Sequence, residues 1–487
     1  MNTIGRIILT KASHLLVAIV VVGMTLGATS VKIANAATTF VVTKTADTND
    51  GACDSDCSLR EAIIAANATP GDDIITLPSG TYTLTIAGTG EDVAATGDLD
   101  IASNLTINGA GAGTTIVNGG GIDRVFHVTG AFIVTLSNLT VRGGYYFYFG
   151  DPTSKGGGIY NDGGILTLTS ATIKSNTAFL GGGIYNLNGT LTISNSTISG
   201  NIGVNGGGIT NDSGALTIFN STVSGNKAEG SGAGINTSGT TNINNVTITN
   251  NTGTPPWSGG GGISGNANIK NTIIAGNTAD SNPDCQGTLN SQGYNLIQYT
   301  NGCTIGGDTT GNIIGVSSSL GPLQDNGGST LTHALLPGSP AINTGNPAVP
   351  GSGGNACEAA DQRGIPRPQG ISCDMGSYEA GAVTTITSET TITSDSPDPS
   401  VVGQAAVVNF TVTSASGAPT GNVTVSDGVD SCTGTVAAGT CTITLTTVGA
   451  RTLTATYAGD ANFNGSSDTE AHMVAAIFKL FLPLILR

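Results

Sequence analysis

Five near-copies of one phrase constrain this chain most: GGGIYN from Gly156, GGGIYN from Gly181, GGGITN from Gly206, GAGINT from Gly232 and GGGISG from Gly260. Their starts lie 25, 25, 26 and 28 residues apart. A unit this short cannot bury a core alone, so the copies must stack as a solenoid. Within the copies Leu166 and Leu168, Leu191 and Ile193, and Leu216 and Ile218 alternate with period two, which is strand spacing. Two further apolar sets recur at matched offsets: Ile159, Ile184, Ile209, Ile235 and Ile263, and Ile173, Ile198, Val223, Ile248 and Ile274. Each copy therefore offers about three short strands separated by Gly, Asn and Ser turns. Stacked at the strand spacing of about 4.8 Å, these offsets become apolar ladders inside a tube. The pattern predicts an all-β chain built on a parallel β-helix, right-handed by the rule for parallel crossovers. About ten coils are expected over residues 74–345, a rod of about 50 Å.

Asparagines repeat as well. Asn195, Asn220, Asn245 and Asn271 share one offset, with Ser170 in the first copy, and Asn176, Asn201, Asn226, Asn251 and Asn277 share another. Both sets are expected to be structural, bonding from coil to coil or supplying left-handed turn residues.

Residues 1–36 read as an export signal: Arg6 and Lys11 are basic, Leu15 to Leu26 is apolar, and Ala34-Asn35-Ala36 suits cleavage. No membrane span is expected after cleavage, and the chain is expected to be secreted or held at the cell surface as a monomer. The net charge of −16 argues against nucleic acid and anionic membranes. Eight cysteines fall into near-neighbour pairs, expected to be disulfides: Cys53 with Cys57, Cys285 with Cys303, Cys357 with Cys373, and Cys432 with Cys441.

An N-terminal cap is expected over residues 37–73. Its CDSDCSLREAIIAANA carries a capping box, Ser58 with Glu61, ahead of a helical face of Leu59, Ala62, Ile63 and Ala66. Such a helix would cover the open first coil. The stretch resembles the CSLREAI motif of secreted bacterial β-helix proteins. Asp47, Asp50, Asp54 and Asp56 crowd before it; Ca²⁺ is one use for them, a solvated acidic loop another.

Residues 320–380 break the repeat. LGPLQDNGGSTLTHALLPGSPAINTG and DQRGIPRPQGISCDMGSYE resemble the segment that closes the β-helix in "choice-of-anchor Q" surface proteins. The resemblance implies a C-terminal cap, placed at 346–380, and no established reaction. Arg363 is expected to pair with a carboxylate, and His333 to be structural. After a linker at 381–395, residues 396–475 alternate as a β-sandwich. PTGNVTVSDG and YAGDANFNGSS there resemble bacterial Ig-like repeats. Cys432 and Cys441 enclose a short segment, unlike the sheet-to-sheet bridge of antibodies. Residues 476–487 form an apolar tail too short to span a bilayer.

Two classes of function fit. The first is a non-enzymatic surface protein that binds a polysaccharide or a surface protein of a host or neighbouring cell; the GGGIYN strings resemble repeats of polymorphic outer-membrane adhesins. The second is a polysaccharide lyase or glycoside hydrolase of the pectin-lyase-like fold. For that class the candidate pair is Asp162 and Asp212, about 9.6 Å apart on coils two steps apart, at the edge of the roughly 6.5–9.5 Å of inverting glycosidases. Both lie in Asn-Asp-x-Gly turns, where Asp serves the backbone. For binding, the candidates are Tyr145, Tyr146, Phe147, Tyr148 and Phe149, with Phe179 and Trp257, which precede the repeat glycines and so share one edge of the tube.

Overall fold

The apolar offsets become strands in register. In the computed structural model, which describes residues 36–148, 151, 153–254, 259–381, 387–415, 417–460 and 463–477, each repeat forms one coil. The coil entered at Ile159 contains Ile159–Asp162, Ile165–Thr169, Thr172–Lys174 and Thr177–Ala178, here called positions in the first to fourth stacks. Each strand pairs in parallel with its counterpart one coil on. Among the described residues the second stack runs from Thr39–Val41 to Cys303–Asp308 through ten successive parallel pairings. The expected apolar ladders exist: Ile159, Ile184, Ile209, Ile235 and Ile263 pair in series and are fully buried. So do Ile173, Ile198, Val223, Ile248 and Ile274.

The glycine triplet and one asparagine form a single device. The third glycine of each copy approaches the next coil so closely that a Cβ on Gly183 would stand 2.5 Å from the Gly208 carbonyl oxygen and 2.9 Å from Asn201 Nδ2. That vacancy admits the Asn176, Asn201, Asn226, Asn251 and Asn277 ladder. Asn201 Oδ1 accepts from both the backbone N (3.1 Å) and Nδ2 (3.0 Å) of Asn176. Asn201 Nδ2 donates in turn to Asn226 Oδ1 (3.0 Å) and to the Ile173 carbonyl (2.9 Å). The ladder ends on Asp284, whose Oδ1 accepts from Asn277 Nδ2 at 2.8 Å. Asn201→Ala is therefore expected to cost about 3 kcal/mol, more than one lost contact, because it orphans buried partners on both sides. Chemical denaturation of the variant checks this, and a loss under about 1 kcal/mol would contradict it.

The other asparagine set behaves differently. Ser170, Asn195, Asn220, Asn245 and Asn271 all adopt left-handed φ between 44° and 51°, turning the chain from the second stack into the third. Of the two expected roles this set takes that of the left-handed turn residue. Its amides form no ladder with one another, though Asn271 Nδ2 reaches Asn244 Oδ1 on the preceding coil (3.0 Å). Asn220 Nδ2 donates to the Ala360 carbonyl (2.7 Å) and Asn271 Nδ2 to the Asn355 carbonyl (3.0 Å).

Those partners belong to the segment expected to close the end of the tube. Instead, much of it lies along the tube's side. Gln362 Nε2 donates to Thr197 Oγ1 (3.0 Å), Thr222 Oγ1 donates to Gln362 Oε1 (2.7 Å), and Ser377 N donates to Thr247 Oγ1 (3.0 Å). These threonines are successive outward positions of the third stack, and all are buried. The segment follows them because they offer a regular row of hydroxyls that an end cap would not meet. Arg363 pairs with Asp361 (2.6 Å) and lies 3.6 Å over the Tyr378 ring. His333 is buried between Ser224 Oγ (2.8 Å) and the Gly321 carbonyl (2.7 Å), and burial lowers its pKa.

The helix Leu59–Ala68 has the expected capping box, and its Leu59, Ala62, Ile63 and Ala66 join the tube's core. The four disulfides pair as expected.

The C-terminal domain is a sandwich of two sheets. One contains Glu389–Ser396, Ala405–Thr413 and Thr440–Thr444; the other contains Ser400–Val401, Ser466–Ala475, Gly449–Tyr457, Asn422–Ser426 and Ser431–Thr435. Its first strand begins before residue 396, where the sequence placed the domain, because Thr390 and Ile392 alternate inward within a Thr/Ser-rich stretch that reads as linker. Cys432 and Cys441 sit on strands of different sheets, so the bridge does join the sheets, correcting the sequence expectation. Residues 1–35, most of the export signal, and 478–487, most of the tail, lie outside the described residues. No helix among the described residues is long and apolar enough to cross a membrane.

Candidate functional site

Strand alternation turns every second residue of the first stack outward. In register these are Asp100, His127, Tyr160, Tyr185 and Thr210. Stacking at the strand spacing brings their side chains into contact. The His127 and Tyr160 rings lie 4.7 Å apart and 4° from parallel, and Tyr160 meets Tyr185 at 5.8 Å. The Arg124 guanidinium lies 4.3 Å over Tyr146 and 5.4 Å from Tyr160. Lys155 Nζ lies 5.2 Å from the Tyr185 ring. Only 16 of 487 residues are Lys or Arg, so two meeting on one aromatic strip is a strong local concentration.

Carboxylates line the same strip. Tyr185 donates its hydroxyl to Asp212 Oδ2 at 2.7 Å, and Ser213 and Ser238 donate to Asp212 Oδ1 at 3.2 and 3.1 Å. The Tyr185 bond above all holds the Asp212 carboxyl below its usual range. Burial raises the Tyr160 and Tyr185 phenols, so both keep their protons and remain donors. Asp98, Asp100 and Asp123 are buried beside Arg124, whose Nε lies 3.2 Å from Asp98 Oδ2. Burial pushes the Asp98 carboxyl up to about 8 and raises that of Asp123. His127 Nδ1 lies 3.1 Å from Asp100 Oδ1. His127 and Tyr185 are themselves buried, at 8% and 2% exposed, and the Tyr185 hydroxyl is taken by Asp212. The strip therefore meets solvent through the partly exposed Tyr160 and the aromatic run beside it, an aromatic surface edged by carboxylates that suits polyhydroxylated rings.

The sequence candidates distribute unevenly around it. Asp162 and Asp212 share the expected register through Leu187. Tyr145 and Tyr148 are half exposed, at 50% and 55%. Tyr146 meets Tyr148 edge-on at 5.7 Å, and Phe147 meets Phe179 at 6.2 Å. The run therefore packs partly on itself and reaches the strip through Tyr146 under Arg124. Phe149 and Trp257 lie outside the described residues.

The four N-terminal aspartates each serve a local partner. Asp47 takes buried Arg60 (2.7 Å), Asp50 accepts from Ala52 N, Asp54 accepts from Asp56 N, and Asp56 pairs with Lys44 (3.0 Å). Arg363 and Arg367 are engaged within the flanking segment, Arg363 by Asp361 and Arg367 by buried Glu379 at 2.8 Å.

Sequence reasoning missed His127, Tyr160, Tyr185, Arg124 and Lys155. The signal for two of them was present: Tyr160 and Tyr185 occupy the same place in the two GGGIYN copies, next to the inward Ile.

The fold and strip define a parallel β-helix bearing an outward aromatic and acidic face, followed by an Ig-like sandwich. Residues 392–475 match, and form, a bacterial Ig-like domain (group 3). No curated protein and no solved structure matches the chain. The domain and the four disulfides fit a surface or extracellular protein.

Proposed function

We propose that this is an exported, non-enzymatic binding protein that uses Tyr160 and the neighbouring Tyr145 and Tyr148 to hold uncharged glycans at a cell surface. The observation that carries this is the half-exposed aromatic pair Tyr145 and Tyr148, joined to the ring ladder at Tyr160 through Tyr146 and Arg124. Asp92, Asp100, Asp162 and Asp212 outnumber the two basic side chains on the strip, which disfavours anionic sugars. The export signal in residues 1–36 and the resemblances to CSLREAI and choice-of-anchor Q proteins support a life outside the cell. Asp212 is held by three hydroxyls, which suits a fixed acceptor better than a catalytic base.

A glycan array tests this with wild type, Tyr160→Ala and Tyr145→Ala/Tyr148→Ala. Wild type is expected to bind neutral oligosaccharides in preference to uronate-rich ones. Tyr160→Ala is expected to weaken binding by about tenfold, the scale of one lost stacking face with its buried area. Absence of glycan binding, or equal binding by folded Tyr160→Ala, would refute the proposal.

A further inference from the structure

We propose that Asp92, Asp100 and His127 form a site for one transition-type divalent cation of the Zn²⁺ class. The site goes beyond glycan binding and does not depend on it. Asp100 and His127 are outward neighbours on successive coils of the first stack, so backbone pairing fixes them face to face. Asp92 reaches them from the loop between Ile86 and Leu99. His127 Nδ1 lies 3.1 Å from Asp100 Oδ1 and 3.5 Å from Asp92 Oδ1, and all three ligand atoms lie within 4.8 Å of one another. Ligand atoms of a tetrahedral ion with bonds of about 2.0–2.1 Å stand roughly 3.3–3.5 Å apart, close to both distances from His127 Nδ1.

Surrounding contacts hold these groups in place. Ala94 N donates to Asp100 Oδ2 at 2.8 Å, leaving Oδ1 for the site. Stacking on Tyr160 fixes the imidazole plane. His127 is 8% exposed, with Nδ1 turned onto the two carboxylates. Orientation of ligands by outer contacts is what a metal site needs. Asp100 and Asp92 bring two carboxylates to the one imidazole. Imidazole with carboxylates and no thiolate suits Zn²⁺ and its neighbours.

A second cluster, Asp395, Asp398 and His472 in the Ig-like domain, provides the contrast. There His472 Nδ1 bonds to Asp395, and Asp398 Oδ1 stands farther off, at 3.7 Å. Asp398 Oδ1 accepts from Met473 N at 2.9 Å. That cluster is a closed hydrogen-bond network.

The test titrates the chelator-stripped full chain with Co²⁺, read by visible absorption, and with Zn²⁺, read by calorimetry. One equivalent is expected to bind, with the visible bands of a four-coordinate Co²⁺ ion. Asp92→Asn, on a largely exposed side chain that leaves the core untouched, is expected to weaken binding by at least about tenfold. His127→Gln is expected to weaken it further, and Asp398→Asn to leave it unchanged. Absence of binding, affinity unchanged in both Asp92→Asn and His127→Gln, or loss in Asp398→Asn would overturn the proposal.

Discussion

Ile198→Asp is expected to cost more stability than any other single change considered for the tube. Ile198 is fully buried and stacked between Ile173 and Val223 on adjacent coils. A carboxylate there loses its water and finds no cation; relative to the ladder asparagines it also breaks the apolar column. The cost should exceed about 4 kcal/mol, a size reserved for buried unpaired charge and comparable defects. Urea unfolding followed by circular dichroism reads it. A loss below about 1 kcal/mol would mean that Ile198 does not face the tube's interior.

Arg367→Ala is expected to release the flanking segment. Arg367 and Glu379 are both fully buried, with Arg367 Nη1 2.8 Å from Glu379 Oε2. Arg367 also donates to the Asp374 and Gly376 carbonyls at 2.9 Å, and Glu379 accepts from the backbone N of Gln369 and Asp374 at 2.8 Å. Removing the guanidinium leaves Glu379 charged and buried without its counter-ion, a change that costs about 3–5 kcal/mol. The segment should become protease-sensitive before the tube does, because each coil of a solenoid is held mainly by its neighbours. Limited proteolysis with mass spectrometry checks this. Cleavage within 1–2 kcal/mol of wild-type resistance, measured across a denaturant series, would show that the pair does not anchor the segment.

Periodic features were legible in the sequence because stacking converts equal offsets into contact. The Ile ladders, the Asn176–Asn277 ladder, the capping box at Ser58 and Glu61, and the near-neighbour disulfides all follow from local spacing. Contacts between distant segments were not legible. Nothing near Asn220 or Thr222 announces that Ala360 and Gln362 lie against them. The strip was half legible: the aromatic run at Tyr145–Tyr148 stood out by composition, but its partner Arg124 and the ring stack did not. His127 sits in an irregular early coil, so the repeat spacing does not align it with Tyr160; only the strand register does. The Ig-like domain's first strand was hidden because Thr390 and Ile392 alternate inside a composition typical of linkers.

The central claim, that the outward strip is a ligand face, rests most directly on one affinity comparison. The uncharged glycan ranked first on the array would be titrated calorimetrically into wild type, Tyr160→Ala and Tyr299→Ala. Tyr299 is exposed to a similar degree as the strip's rim, at 47%, but lies on a late coil away from the ring ladder. The expected result is a Kd raised about tenfold in Tyr160→Ala and unchanged in Tyr299→Ala. A Kd unchanged in Tyr160→Ala, with a wild-type circular dichroism spectrum, would contradict the claim.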